Sequence, residues 1–282
     1  MLLLVPSDPL RPRRADEHFA AEAMAARDAG VTVALINHDA LAGPGEADRA
    51  VARVPESGGT AVYRGWMLRA SQYAVLARTL ATRGVTLRTS AAQYQQAHEL
   101  PGWYHALAPV TPEAEWTEGD GEREFLLACE RVGPGSAVLR DYVKSMKHYW
   151  HEAVYIPDVA DPAAACKVAA RFRELRDDEF TGGFVLRRFE RLASAEARTW
   201  WVSGTCRLAT AHPDTPGDAP PEDLDLSAFT PLVSSLGLPF VTADLARRDD
   251  GTWRLIELGD GQVSDRPATT DAGAFLHAIL TD

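Results

Sequence analysis

The chain has 282 residues, enough for about two typical domains or one large one. With 46% apolar and 24% charged residues its composition is ordinary for a globular protein, which excludes a disordered, collagenous or coiled-coil chain. Against 29 Lys and Arg stand 40 Asp and Glu, a net charge of −11, so nucleic acid or an acidic membrane would meet a repulsive average field, and any anionic ligand needs a local cluster of cations.

The N-terminal run MLLLV has no basic residue before it and is too short for a signal peptide or a spanning helix. Cys129, Cys166 and Cys206 lie far apart with no CxxC pair, so neither a disulfide framework nor a zinc site is expected. Small buried thiols in a reducing cytoplasm are the expectation. The first hundred residues alternate strand and helix signals. LLLVPS is a buried strand, Asp16 to Ala29 a helix stopped by Gly30, VTVALIN a second strand and GTAVYRGWM a third. Ser71 to Arg83 follows as a helix that Ser71 can cap and Gly84 ends, then Ser90 to Leu100 as another. Strands separated by helices of this length require right-handed crossovers, hence a small parallel α/β layer. Pro101, Pro109 and Pro112 interrupt the pattern and place a domain boundary near residue 110.

The rest has another rhythm. A helix near Arg123 to Arg131 precedes SAVLRDYVKSMKHYW, and Pro162 to Arg176 is a helix capped by Asp161. Three strand-like runs come next, GFVLRRFERL, ARTWWVSG and TCRLATA, the last two joined through Ser203-Gly204. Residues 211–223, rich in proline and acid, read as an exposed loop. Leu224 to Leu236 is a helix, and residues 239–259 are two strands around Asp250-Gly251. This second part is α+β, an antiparallel sheet carrying helices.

Asp250-Gly251 is a strong signal for a two-residue hairpin loop, since both positions of that turn need positive φ. With Asp249 and Thr252 as the closing pair, Asp244 falls directly opposite Glu257, on the face away from Ala243, Leu245, Ile256 and Leu258. Two opposed carboxylates repel, and a divalent cation removes that cost. Magnesium suits two acids on rigid strands better than zinc does. A longer loop would instead slip the register and leave both acids in solvent.

No GxxxxGK[ST], GxGxxG or GxSxG motif occurs. Positive charge gathers in two runs, Arg140, Lys144 and Lys147, and Arg187, Arg188 and Arg191. Alternation points Arg187 to the face of Val185 and Phe189, where a guanidinium wants an anion, so this strand can form a phosphate wall. The other reading is a solvated edge whose Arg stems cover apolar surface. His148 and His151 lack a third ligand nearby and are expected to be structural or on the surface. Tyr63, Arg64 and Trp66 end a strand of the first domain, where ligands sit in α/β sheets. Arg64 is therefore a candidate to orient a carboxylate substrate, with a core or salt-bridge role as the alternative.

The motifs LRDYVKSMKHYW, GGFVLRRFERL, EARTWWVSG and ELGDGQVS, taken in order, resemble the ATP-grasp superfamily, and in particular a compact bacterial branch in which Arg and Lys share phosphate binding. The resemblance runs from about Arg140 to Asp265. It implies a Rossmann-like pre-ATP-grasp domain (1–110) followed by an ATP-grasp domain (111–282) with antiparallel sheet, and ATP and Mg2+ as cofactors. Carried over by position, Arg140 and Lys144 become phosphate ligands, and the backbone near Phe189 and Glu190 meets adenine with Arg187 in the same strand. Glu196 and Arg198 form the Glu-x-Arg strand beside the triphosphate, and Asp244 and Glu257 become magnesium ligands. Where the family commonly closes its metal site with Glu-x-Asn, this chain has Glu257-Leu258-Gly259, and its only asparagine is Asn37. Either Asp260 or Gln262 then takes the role, or the second metal is lost. The implied activity is a cytoplasmic carboxylate–amine ligase that makes an acyl phosphate and ADP, with Arg140, Lys144 and Arg198 in the catalytic roles. Its partners would be small-molecule acids and amines, amino acids or short peptides, with homodimerisation left open. A phosphotransferase, or an ATP-binding regulatory module with a decayed metal site, are the alternatives.

Overall fold

The computed structural model describes residues 1–43, 45–56, 58–193 and 196–281. Two compact units emerge, and both are discontinuous in sequence. The first comprises Met1–Ala97, Ala195–Leu245 and Glu257–Asp282, the second His98–Ser194 and Ala246–Ile256. The chain leaves the first unit after Ala97 and later returns to it.

In the first unit, β1 (Leu2–Pro6), β2 (Thr32–Ile36), β3 (Gly59–Tyr63) and β4 (Val85–Leu87) form a parallel sheet in the order β2-β1-β3-β4. Its helices are α1 (Ala20–Asp28), α2 (His38–Ala42), α3 (Ala47–Ala50), α4 (Ala70–Thr82) and α5 (Ala91–His98). Gly30 and Gly84 stand just past α1 and α4 at φ +75° and +74°, as the sequence expects. The cap of α4 differs: Arg69, one residue ahead of the helix, donates its N–H to the Gln72 side chain, and Ser71 lies inside the helix.

The second unit holds β5 (Ala114–Trp116), β6 (Ala137–Asp141), β7 (Tyr155–Ile156) and β8 (Phe184–Arg188), an antiparallel sheet ordered β5-β8-β6-β7. Helices α6 (Leu100–Leu107), α7 (Glu122–Val132) and α8 (Pro162–Arg176) belong with it. The core joins Phe125, Cys129 and Val132 of α7 to Val168 and Phe172 of α8 and to Leu139, Phe184 and Leu186 of the sheet. Cys129 is thus the buried hydrophobe expected, while Cys166 and Cys206 are half-buried.

The remaining sheet is β10-β9-β11-β12, built from β9 (Ala197–Val202), β10 (Thr205–Ala211), β11 (Phe240–Arg247) and β12 (Trp253–Asp260), with α9 (Thr230–Ser235) and α10 (Ala272–Leu280) completing the fold. Ser203 and Gly204 both take positive φ and close the β9–β10 turn. Trp200, Val202 and Phe240 share one core with Leu3, Val5, Ala23, Phe275 and Ile279. That shared core explains why residues 197–245 belong to the N-terminal unit: their apolar face has its partners there.

The β11–β12 turn departs from expectation. Arg248 N–H donates to Thr252 O, and Gly251 N–H to Arg248 O, so three residues, Asp249 to Gly251, form the loop, with Gly251 at φ +86°. Counted from this turn, Asp244 would meet Ile256. At the far end Gly261 N–H donates to Phe240 O, which is the register the two-residue loop would have given. The one-residue difference is absorbed within β12. Leu255 and Leu258, three apart, are both buried, which strict alternation forbids. A further difference concerns solvent: β11 is buried on both faces from Phe240 to Ala246, so Asp244 is covered.

Candidate functional site

In the first unit, strand register brings the key charges together. Arg198 on β9 is directly opposite Asp244 on β11, and opposite side chains in an antiparallel pair share a face. The guanidinium grips the carboxylate with two parallel bonds, Nε to Oδ1 and Nη2 to Oδ2, each 2.8 Å. Its Nη1 donates to the Asp265 carbonyl at 3.0 Å. His212, the first residue after β10, places Nε2 3.5 Å from Asp244 Oδ2 and 3.8 Å from Glu196 Oε2. Asp214 N–H donates to its Nδ1 at 3.2 Å.

Electrostatics follow from this packing. Burial alone would raise the Asp244 carboxyl, but the Arg198 guanidinium and His212 outweigh it and hold the acid well below the carboxylate range. Burial alone would discharge Arg198. Asp244 first, then Glu257 and Asp265, hold it above its ordinary value instead.

Among the described residues, Glu196, His212 and Asp244 have ligand atoms within 4.8 Å of one another. To magnesium, which takes oxygen ligands, Asp244 offers a buried carboxylate held ionised. The imidazole of His212 suits softer ions. The sequence assigned His212 to an exposed loop, yet its side chain is only 13% exposed. The signal available was its place, one residue beyond a strand paired with Arg198.

Asp260 and Gln262 do not join this group, which corrects the expectation that one replaces the missing asparagine. Both are fully buried. Asp260 Oδ1 accepts the Gln262 backbone and side-chain N–H groups, while Gln262 donates to Tyr73 Oη at 2.7 Å and accepts from Tyr63 N–H at 3.0 Å. Burial pushes the Asp260 carboxyl up to about 7. These residues pin the segment after β12 to the parallel sheet.

Arg64 is likewise structural, and its substrate-orienting role is corrected. It is 1% exposed, with Nε and Nη2 on Glu22 at 2.8 and 3.1 Å and Nη1 on the carbonyls of Gly261, Gln262 and Ser264. The Phe275 and Trp200 rings lie 4.9 and 5.5 Å from its Cζ. No donor on these atoms points to solvent.

The second unit holds the other expected residues. Arg140 is buried, with Nη2 on Val143 O and Nε on Asp141 O, so it braces the turn after β6. Lys144, four residues on, is exposed. Asp141, fully buried, accepts from Val143 N–H, Lys144 N–H and Arg176 Nε and holds that turn rigid. Arg187 donates to Ile256 O, Leu255 O and Thr111 Oγ1. Glu190 is paired through both oxygens with Arg254 at 2.8 and 2.9 Å. Phe189 meets Trp150 and Tyr155, whose rings stack at 5.6 Å, all three partly exposed. Trp150 opens a single π-helical turn, Trp150–Val154, a rare element often found at functional sites. Sequence reasoning missed these two rings because no periodicity marks them.

Residues 131–279 match a family described as an ATP-grasp domain, family 3 of its clade. No curated protein sequence matches the chain. Among solved structures, a RimK domain protein ATP-grasp from Sphaerobacter thermophilus is similar over 100% of both chains, with 16% identity and a TM-score of 0.60. D-cycloserine synthetase DcsG is similar over 99% of this chain and 98% of its own, with 16% identity and a TM-score of 0.65. The ATP-grasp ligase PsnB, solved with a minimal precursor, Mg and ADP, is similar over 99% and 97%, with 11% identity and a TM-score of 0.57. These likenesses show the fold: a mixed α/β chain with one parallel and two antiparallel sheets. No helix among the described residues is long and apolar enough to cross a membrane.

Proposed function

The chain belongs to this ATP-grasp domain family, and on that footing we propose that it is an ATP-dependent carboxylate–amine ligase that activates its acid as an acyl phosphate and releases ADP. The observation that carries the reading is the buried Arg198–Asp244 pair on β9 and β11, with Glu257 on the neighbouring β12, a cation and two acids on adjacent strands. Phosphoryl transfer to a carboxylate demands little covalent chemistry from the protein. It demands neutralised charge, alignment and exclusion of water. Arg198 stabilises the charge on the γ-phosphate; in the second unit, Lys144 is an exposed cation on a turn fixed by Arg140 and Asp141, suited to a phosphate. Asp244 and Glu257 would hold Mg2+, which would supply charge neutralisation at the phosphates. Adenine lies against the aromatic group of Phe189, Trp150 and Tyr155, with the backbone at Phe189 and Glu190 as its polar edge. Arg187 and Arg140 act by bracing these strands, and Glu196 stands beside Arg198. The acid and amine are amino acids or short peptides, a choice supported by the precursor peptide with which PsnB has also been solved.

The test is ADP release with ATP, Mg2+ and a panel of amino acids and short peptides, offered singly and in pairs, with mass spectrometry of the products. Release that requires both an acid and an amine, with a new amide, is expected. ADP from a single acceptor with no amide overturns the ligase reading.

A further inference from the structure

The parallel sheet of the first unit changes direction between β1 and β3, because the chain runs from β1 out to β2 on one side and returns to β3 on the other. Ligands of such sheets sit beyond the carboxyl ends of the strands at this switch. After β3, three bonds fix the chain: Arg64 N–H to Leu4 O, Gly65 N–H to Gln262 O and Tyr63 Oη–H to Trp66 O. A Cβ on residue 65 would lie 2.3 Å from the Tyr63 phenol, so only glycine allows this approach. Trp66 is thereby held by its backbone yet remains 37% exposed. After β1, Asp16 accepts the His18 N–H and sets the short 3-10 turn Glu17–Phe19. The His18 ring then lies 4.6 Å from the Trp66 ring. His18 Nε2 is 3.0 Å from Asp265 Oδ1, with both side chains nearly half exposed, and the Asp265 carbonyl is the one that accepts Arg198 Nη1.

The sign of this surface is set by what its neighbours do. Arg64 and Arg266 are directed onto Glu22 and onto backbone carbonyls, while the partly exposed Asp265 carboxylate and the Trp66 indole, which the His18 and Phe19 rings flank, both meet the His18 ring. A carboxylate next to a Trp face favours a cation. We propose that this switch-point surface is the subsite for the amine co-substrate, which docks as a primary ammonium on the Asp265 carboxylate and the Trp66 indole, with His18 orienting the carboxylate. The proposal rests on the ligase reading and names the substrate class for which that reading requires a site near Arg198.

The probe is n-butylammonium, with butyrate as the charge control, titrated into the full chain without ATP. The signal followed is the Trp66 indole N–H resonance, identified by its loss in Trp66→Phe. A saturable shift with n-butylammonium and none with butyrate is expected, weakened about ten-fold in Asp265→Asn, one broken charge contact. Trp66→Leu, followed by ligand-observed NMR, should weaken binding similarly and covers a failure of Asp265→Asn to fold. No saturable shift, an equal response to butyrate, or unchanged affinity in both variants overturns the subsite. Amine-dependent ADP release without ammonium binding here sinks the subsite alone, and ammonium binding without amine-dependent ADP release sinks the ligase reading alone.

Discussion

Arg198 and Asp244 face each other across paired strands with two parallel bonds of 2.8 Å, and side-chain exposures of 12% and 4% leave little water to share their charge. Removing one member strands the other. Arg198→Met should therefore destabilise the fold by about 3–5 kcal/mol in urea denaturation. The double variant Arg198→Met with Asp244→Leu should recover most of that loss, since two apolar residues of similar volume replace a desolvated pair. A single variant as stable as the wild type would contradict the coupling.

The second expectation concerns the proposed magnesium acids. Asp244→Asn and Glu257→Gln should each lower Mg2+-dependent ADP release by about 100-fold or more, because neutralisation at the transferring phosphoryl group contributes several kcal/mol. Asp260→Asn should not act through metal, since that carboxyl is buried among Gln262 and Tyr73. Calorimetric Mn2+ titration in the presence of ADP separates the two cases: affinity falls for the first pair and holds for Asp260→Asn.

The strands that carry the candidate residues were legible in the sequence, and the reasons for the gaps are physical. Strand alternation and family spacing placed Arg198, Asp244 and Glu257 correctly on β9, β11 and β12, because each is a local property of its strand. The turn was misjudged by one residue, since Asp249-Asp250-Gly251 serves a three-residue loop as readily as Asp250-Gly251 serves a two-residue one. The fates of Arg64 and Asp260 were hidden because both are decided by partners about 200 residues away: Arg64 by Gly261 and Ser264, and Gln262, which pins Asp260, by Tyr63 and Tyr73. The discontinuous units were hidden for the same reason, as Trp200 and Phe240 find their core partners in Leu3 and Val5.

Asp260 carries a pH expectation whose sign can be worked out. Its carboxyl is raised from 3.8 to about 7 by burial, Oδ2 has no hydrogen-bond partner, and the folded state therefore keeps a proton that the unfolded chain releases. Stability from this group is fully present below the unfolded value and is lost as pH rises toward 7, by about 1.4 kcal/mol per unit. Asp260→Asn cannot ionise and should remove that part of the slope, becoming the more stable of the two proteins at pH 8. Urea melts of both proteins from pH 5 to pH 8 check this, and parallel curves would rule out a buried proton on Asp260.

The aromatic group at the end of β8 should govern nucleotide affinity more than turnover. Trp150 and Tyr155 stack with an interplanar angle of 15°, and Phe189 meets both edge-on, so the three rings form one partly exposed apolar surface beside the proposed adenine edge. Stacking of a base on such a ring contributes about 1–3 kcal/mol, which is about 10- to 100-fold in affinity. Trp150→Ala should therefore weaken ATP binding by that factor in equilibrium titration. Turnover at saturating ATP should change far less, because the ring touches the base and not the phosphates, so the effect falls on KM. An unchanged dissociation constant would move adenine away from these rings, and a fall in kcat alone would assign Trp150 to alignment of the phosphates instead.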